Sequence, residues 1–146
     1  MNMSRLEYFQ RLVGSHTKDY SRSPYGRWLN GKLVELEQGR LRMEHDVRDD
    51  MTNPVGMLHG GVTAGIIDDA MGMLFFTLGL DVFYPTINLS IDYLAGARQG
   101  DVITTKVWVV RQGKTIINLQ ATVTDAKERI IAQASSNLAA SNIQMP

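Results

Sequence analysis

From Val55 to Leu80 the chain is almost continuously apolar, yet Asp68 and Asp69 sit side by side in the middle of the run. The run is long enough to cross a bilayer, but two central aspartates would cost about 2.5–3.5 kcal/mol each even on the lenient insertion scale. A helix over this stretch is apolar on every side and cannot lie on a surface. It has to be wrapped by other elements. A carboxylate on such a helix is itself costly unless it is paired, hydrogen-bonded or set at a cleft. The run therefore constrains both the fold and the place where its chemistry belongs.

The flanking sequence supplies strands for the wrapping. Residues 32–37 and 40–47 alternate, with Gln38-Gly39 between them, and predict a β-hairpin. A helix is expected from about His59–Gly61 to Leu78, where Gly79 ends it. Beyond it, 84–94 alternates, with Thr86, Asn88, Ser90 and Asp92 on one face and Ile87, Leu89, Ile91 and Tyr93 on the other. Strands over 101–112, 114–125 and 130–140 follow as a meander. The spacing of Leu6, Phe9, Gln10 and Val13 predicts a short helix over 4–13, stopped by Gly14, and the polar segment 15–27 with Pro24 and Gly26 reads as a loop. The expected architecture is α+β, one domain over 1–146, with 1–30 as an N-terminal helix and lead-in. Val107-Trp108-Val109-Val110 is apolar on both faces, which predicts cover on both sides of that strand and so a second subunit.

Composition excludes several classes. A chain of 146 residues with 44% hydrophobic residues can bury a core, so it is not a disordered segment. With 15 basic and 15 acidic side chains the net charge is zero, which argues against a dedicated nucleic-acid binder. The absence of cysteine removes disulfides, thiolate nucleophiles and Cys-based metal sites together. His16, His45 and His59 have no metal-ligand spacing. Met1-Asn2-Met3-Ser4-Arg5-Leu6-Glu7 has no apolar signal core. The expectation is a cytoplasmic protein that needs no membrane.

The chemistry-bearing residues lie around the start of the long helix. Gly60 and Gly61 weaken helix initiation, but they let a ligand approach bare backbone N–H groups at a helix N-terminus, where a carbonyl oxygen gaining negative charge would be held. His59 and Asn53 precede them, and Asp68 follows with small neighbours Ala64, Gly65 and Gly72 one turn away. Each residue alone has an ordinary structural explanation as a cap, a turn former or a core carboxylate. Together they favour a catalytic site that polarises a carbonyl and positions water.

In this segment the chain resembles hotdog-fold thioesterases, particularly the phenylacetate-degradation type and its acyl-CoA thioesterase relatives. The pattern is Asn, then six residues on His-Gly-Gly, then an acidic residue nine after the His; Asn53, His59-Gly60-Gly61 and Asp68 fill it. Thr86 falls where that family has a Ser or Thr that steadies the attacking water. Tyr93-Leu94-Ala95-Gly96-Ala97-Arg98-Gln99-Gly100-Asp101 and Arg111-Gln112-Gly113-Lys114-Thr115 resemble its later strands and Gly-Lys turn. The first thirty residues or so match nothing specific.

The resemblance implies a long helix wrapped by an antiparallel sheet, and homodimers paired edge to edge or homotetramers built from such dimers. Asp68 of one chain would then face Asn53, His59 and Gly60 of another. It implies hydrolysis of an acyl-CoA with Asp68 as base, or less favourably nucleophile. The Gly60 N–H would be the oxyanion donor, and Asn53, His59 and Thr86 would orient water and thioester. Asp69 fits no slot in that pattern, although two adjacent carboxylates sharing a proton would raise one pKa. Gly61, Arg98, Arg111, Gly113 and Lys114 would contact coenzyme A, which enters as substrate, with no separate cofactor. Met57, Met71, Met73, Phe75, Phe76 and Tyr84 are candidates for an apolar acyl pocket. Other readings are a dehydratase of the same fold, a thioesterase acting on acyl carrier protein, and a non-catalytic acyl-CoA-binding protein.

Overall fold

The computed structural model describes residues 2–146; Met1 of the expected lead-in lies outside them. Its long helix, α4 (Gly60–Thr77), is wrapped by a six-stranded antiparallel sheet. The strands are β1 (Lys32–Glu37), β2 (Arg40–Asp46), β3 (Thr86–Tyr93), β4 (Val102–Gln112), β5 (Ile116–Thr124) and β6 (Ile130–Ala139). Their order across the sheet is β1-β2-β4-β5-β6-β3, so β3 crosses over to become an edge strand beside β6.

The core forms between the helix and the inner face of the sheet. Ile66, Ile67, Ala70, Met71 and Leu74 of α4 are buried against Met43, Ile103, Val107, Leu119, Val123 and Leu138. Each fully buried Ile or Leu contributes roughly 1.5–3 kcal/mol, enough for the apolar run to dictate where the helix sits. Among the described residues no helix is long and apolar enough to cross a membrane.

The short N-terminal helix is α1 (Arg5–Gln10), opened by a capping box in which the Glu7 N–H donates to Ser4 Oγ at 3.1 Å and the Ser4 N–H to Glu7 Oε2 at 2.8 Å. It stops short of Val13, the residues to Gly14 being turn. The expected loop over 15–27 is instead largely helical, with α2 (Thr17–Tyr20) and α3 (Pro24–Leu29). Pro24 occupies the first turn of α3, where its missing N–H costs nothing, and Ser23 caps the helix through Gly26 N–H. The proline that looked like a breaker is a helix start.

Two bulges change which side chains face the helix. In β4 the register shifts between Val109 and Arg111, so Val110 turns outward and is 52% exposed. Trp108 is half-buried on an outer face whose neighbours Lys106, Gln120 and Thr122 are polar. The outer face of β4 thus carries Trp108 and Val110 among polar neighbours, a smaller apolar patch than the run Val107-Trp108-Val109-Val110 suggests. In β3 the register shifts between Thr86 and Asn88. Thr86 pairs with inward-facing Leu138, on the helix side with Leu89 and Ile91, whereas Asn88, Ser90 and Asp92 face out. The simple alternation expected for 84–94 fails at Ile87, the bulged residue, which is 58% exposed.

Candidate active site

The segment ahead of α4 is stitched into a fixed loop. Asn53 Oδ1 accepts the N–H groups of Val55 and Met57 at 3.1 and 3.0 Å, leaving its NH₂ group uncommitted among the described residues. Gly56 closes the turn at φ +77°, a conformation that favours glycine. The chain then enters the helix between two anchors, Leu58 N–H on Ala97 O at 2.8 Å and His59 N–H on Met51 O at 2.9 Å.

His59 is the N-cap of α4. Its Nδ1 accepts the Gly61 N–H at 2.9 Å, which leaves Nε2 to carry the neutral ring's proton. A Cβ on Gly61 would fall 3.1 Å from that Nδ1, so glycine here keeps room for the ring. Gly60 is different. A Cβ there would meet Tyr93 at an ordinary 3.5 Å, and within one chain nothing requires glycine. The Gly60 N–H precedes the helical hydrogen-bond ladder and has no partner among the described residues, while its carbonyl accepts the Tyr93 hydroxyl at 2.7 Å. Tyr93, exposed and holding the first turn of α4 to β3, is a site residue that its alternation as a strand apolar concealed.

Asp68 lies two turns further on and is exposed. Its Oδ1 accepts the Thr86 hydroxyl at 3.2 Å, a contact made by the bulge in β3. Asp69 points elsewhere. Both of its oxygens lie within 3.2 Å of where a Cβ on Gly26 would sit, so Gly26 of α3 makes room for the carboxylate. Burial first, and the Asp68 charge second, push Asp69 up to about 6. The expected raised carboxylate is thus real, but burial outweighs proton sharing. Burial and then Asp69 push the Tyr20 phenol up to about 12, and the same causes, with Asp68 added, raise Tyr25. Tyr25 packs over the helix at Gly65, where a Cβ would collide with its ring and Oη. Neither tyrosine stood out in the sequence, because both lie in a segment that reads as a loop and their neighbours are on the distant helix.

One chain does not assemble the whole constellation. Gly60 and Asp68 are eight residues apart on one helix, roughly 12 Å along its axis. Gly60 sits by Tyr93 at one end of β3, and Asp68 by Thr86 at the other. The pairings from β3 through β6 and β5 to β4 carry this division across the sheet. Thr86, Leu138, Ile117 and Gln112 fall at one end, Tyr93, Ala132, Val123 and Thr105 at the other.

The basic residues divide the same way. Arg98 belongs to the Asn53 end, where it bridges Met57 and its N–H donates to Asp101 at 2.8 Å. Arg111, Gly113 and Lys114 lie at the Thr86 end, roughly 30 Å along β4 from Val102. The three cations are therefore not one cluster within a chain. Gly113 cannot take a Cβ without meeting Ile116 O at 2.8 Å, which ties it to the turn's own backbone. Of the expected acyl-pocket residues, Met71, Phe75 and Tyr84 are core, at 1%, 3% and 7% exposure, and Met57 packs against Gly96. Met73 and Phe76 alone line an open cleft beside Asp68. Among the described residues no group of three His, Asp or Glu side chains could hold a metal ion.

Comparison with known proteins bears on this arrangement. The family model described as thioesterase superfamily matches residues 55–132, which include every residue of the pattern except Asn53. Human acyl-coenzyme A thioesterase 13 is 27% identical over 132 residues, covering 90% of this chain and 84% of that protein. The structure of the E. coli PaaI protein from the phenylacetic acid degradation operon superposes with a TM-score of 0.82 at 16% identity, covering 99% of this chain and 100% of that one. A Streptococcus mutans protein solved bound to acetyl CoA superposes with a TM-score of 0.73 at 24% identity, over 80% of this chain and 92% of that one. The wrapped helix is the hotdog fold.

Proposed function

The chain belongs to the thioesterase superfamily, and from that premise we propose that it hydrolyses an acyl-CoA to a carboxylic acid and free coenzyme A. The observation that carries this reading is the pair of half-sites at opposite ends of an exposed edge strand. An unpartnered N–H at a helix N-terminus stands at one end of β3, and a carboxylate held by a hydroxyl stands at the other. Antiparallel pairing of β3 with the same strand of a second copy, centred on Ser90 so that facing side chains share a side of the sheet, sets Tyr93 opposite the Thr86–Ile87 bulge. Asp68 of one chain then meets Gly60, His59 and Asn53 of the other, and the Arg111–Lys114 turn meets Arg98.

The chemistry follows from the groups. Asp68, steadied by Thr86, takes a proton from water as its oxygen attacks the thioester carbon. The carbonyl oxygen becomes an oxyanion against the Gly60 N–H, where the helix dipole and an uncommitted donor favour negative charge. The C–S bond then breaks, and the leaving thiolate takes the proton that Asp68 holds. His59 Nε2–H and the Asn53 NH₂ are donors free to orient the thioester or the water. Nothing in this route uses a resident cofactor, since coenzyme A enters and leaves as part of the substrate. The human relative's name and the acetyl CoA complex of the streptococcal structure support coenzyme A as the carrier.

The test is release of free thiol from a panel of acyl-CoAs and of acylated carrier protein. Turnover of the CoA thioesters is expected. Turnover of the carrier-protein substrate alone would move the assignment to that partner. Binding without release would leave an acyl-CoA-binding protein, and dehydration of a 3-hydroxyacyl thioester would make it a dehydratase.

A further inference from the structure

A cleft of about 710 Å³ opens beside Asp68 and runs along α4 beneath the N-terminal segment. Its floor is one face of the helix, Asp68, Asp69, Gly72, Met73 and Phe76, and its roof includes Tyr8 and Phe9 of α1. α1 lies outside the residues the family model matches, and it is held down by the edge contact of Phe9 on Phe76 at 5.6 Å. The far end is closed by Arg5, whose guanidinium stands 4.8 Å over the Phe76 ring and donates to Leu80 O at 2.9 Å. That charge is already engaged by a ring face and a carbonyl.

We propose that this cleft holds the acyl group of the thioester, and that Gly72 in its floor and Tyr8 in its roof set the length of the uncharged alkyl chain the protein accepts. The proposal rests on the thioesterase reading, because the mouth of the cleft is the carboxylate assigned there. Three features carry it. The floor from Asp68 to Phe76 is eight residues long, roughly 12 Å, a span suited to an extended alkyl chain of medium length and longer than a single aryl ring fills. Met73, Tyr8, Phe9 and Phe76 give it apolar walls, and its lining arginines, Arg5 and Arg22, are matched by Asp68 and Asp69, so no net positive charge awaits a terminal carboxylate. Finally, Gly72 sits in mid-helix, where glycine is less stable than alanine by roughly 0.5–1 kcal/mol, and a Cβ there would meet nothing within 4 Å. The space is real, and any larger side chain would project into it.

The experiment compares kcat/KM for acetyl-, butyryl-, octanoyl-, decanoyl-, palmitoyl- and phenylacetyl-CoA in the full chain and in two variants. The wild type is expected to peak at octanoyl to decanoyl. Gly72→Leu should lower the decanoyl-to-butyryl ratio at least roughly tenfold, because a few methylenes lose their place. Tyr8→Ala, on a separate element, should raise the palmitoyl-to-decanoyl ratio. Thermal unfolding checks that Gly72→Leu folds, and its helix propensity favours that. Unchanged ratios in both folded variants would overturn the proposal, as would a wild type that prefers acetyl- or phenylacetyl-CoA. If no thioester is hydrolysed at all, the thioesterase reading fails first. The cleft is then judged by binding of non-hydrolysable thioether analogues: tighter binding of the decanoyl than the butyryl analogue, lost in Gly72→Leu, upholds it, and equal binding overturns it.

Discussion

Thr86 Oγ1 donates to Asp68 Oδ1 at 3.2 Å, and the contact exists because a bulge at Ile87 turns Thr86 out of the strand's alternation and toward the helix. The bond fixes one oxygen of an exposed carboxylate and leaves the other for a proton. Asp69, the next residue, is turned toward Gly26 and Tyr20 instead. Two adjacent carboxylates on one helix thus have separate surroundings, and the first prediction follows from that difference.

Asp68→Asn keeps the shape and the Thr86 bond but removes the proton acceptor, so kcat should fall roughly 10²–10⁴-fold while substrate binding persists. Asp69→Asn should cost far less activity. Steady-state kinetics on both, with matched unfolding curves, decides. A dead Asp69→Asn beside an active Asp68→Asn would mean the two roles are exchanged.

The half-sites at the two ends of β3 predict complementation. Asp68→Asn and His59→Asn should each be impaired, the second retaining a capping side chain at the helix start. Unfolded together in equal amounts and refolded, they should regain activity in about a quarter of the sites, since half of the dimers are mixed and each mixed dimer has one intact site. Light scattering should show a dimer or a larger assembly of dimers. An active monomer, or a mixture no better than its parents, would refute a site built from two chains.

Removing charge at Arg111 or Lys114, and separately at Arg98, should raise KM for coenzyme A thioesters with little change in kcat. The two positions lie at opposite ends of one chain's sheet, so a double variant should behave as two contacts on one bound ligand. A loss of kcat with unchanged KM would move these residues out of substrate binding.

Stability should depend on pH through two opposed groups. His45 is 2% exposed with neither ring nitrogen hydrogen-bonded among the described residues, and burial, then the Arg48 charge, lower its pKa to about 4 from 6.5. On acidification the unfolded chain takes that proton first, so stability is lost between about 6.5 and 4, on the order of 3 kcal/mol in all. Asp69 is raised from 3.8 to about 6, so there the folded chain takes the proton first and stability is gained over about 6 to 3.8, by a comparable amount. The two offset each other in the wild type. Asp69→Asn leaves His45 unopposed, and its urea midpoint should fall more steeply between pH 7 and 4 than the wild type's. A parallel fall in both would refute the assignment for Asp69.

The sequence alone determined the long helix, its start at His59-Gly60-Gly61, the hairpin at Gln38-Gly39 and the strands that wrap the core. These follow from signals local to a few residues: hydrophobic period, glycine stops and turn pairs. It also singled out Asp68 and the residues before the helix, because polar groups in an apolar run stand out wherever the chain folds. Three things were decided only in three dimensions. A one-residue bulge put Thr86 against Asp68, and a register shift depends on the partner strand rather than on the strand's own pattern. The crossover of β3 to the edge set Gly60 and Asp68, two turns apart on the helix, beside opposite ends of an unpaired strand. The folding of α1, α2 and α3 over α4 roofed the cleft and buried Asp69 beside Gly26, in a segment whose Pro24 and Gly26 read as loop signals although both lie within α3. Local chemistry wrote the elements, and which faces met was left to the contacts between elements distant in the chain.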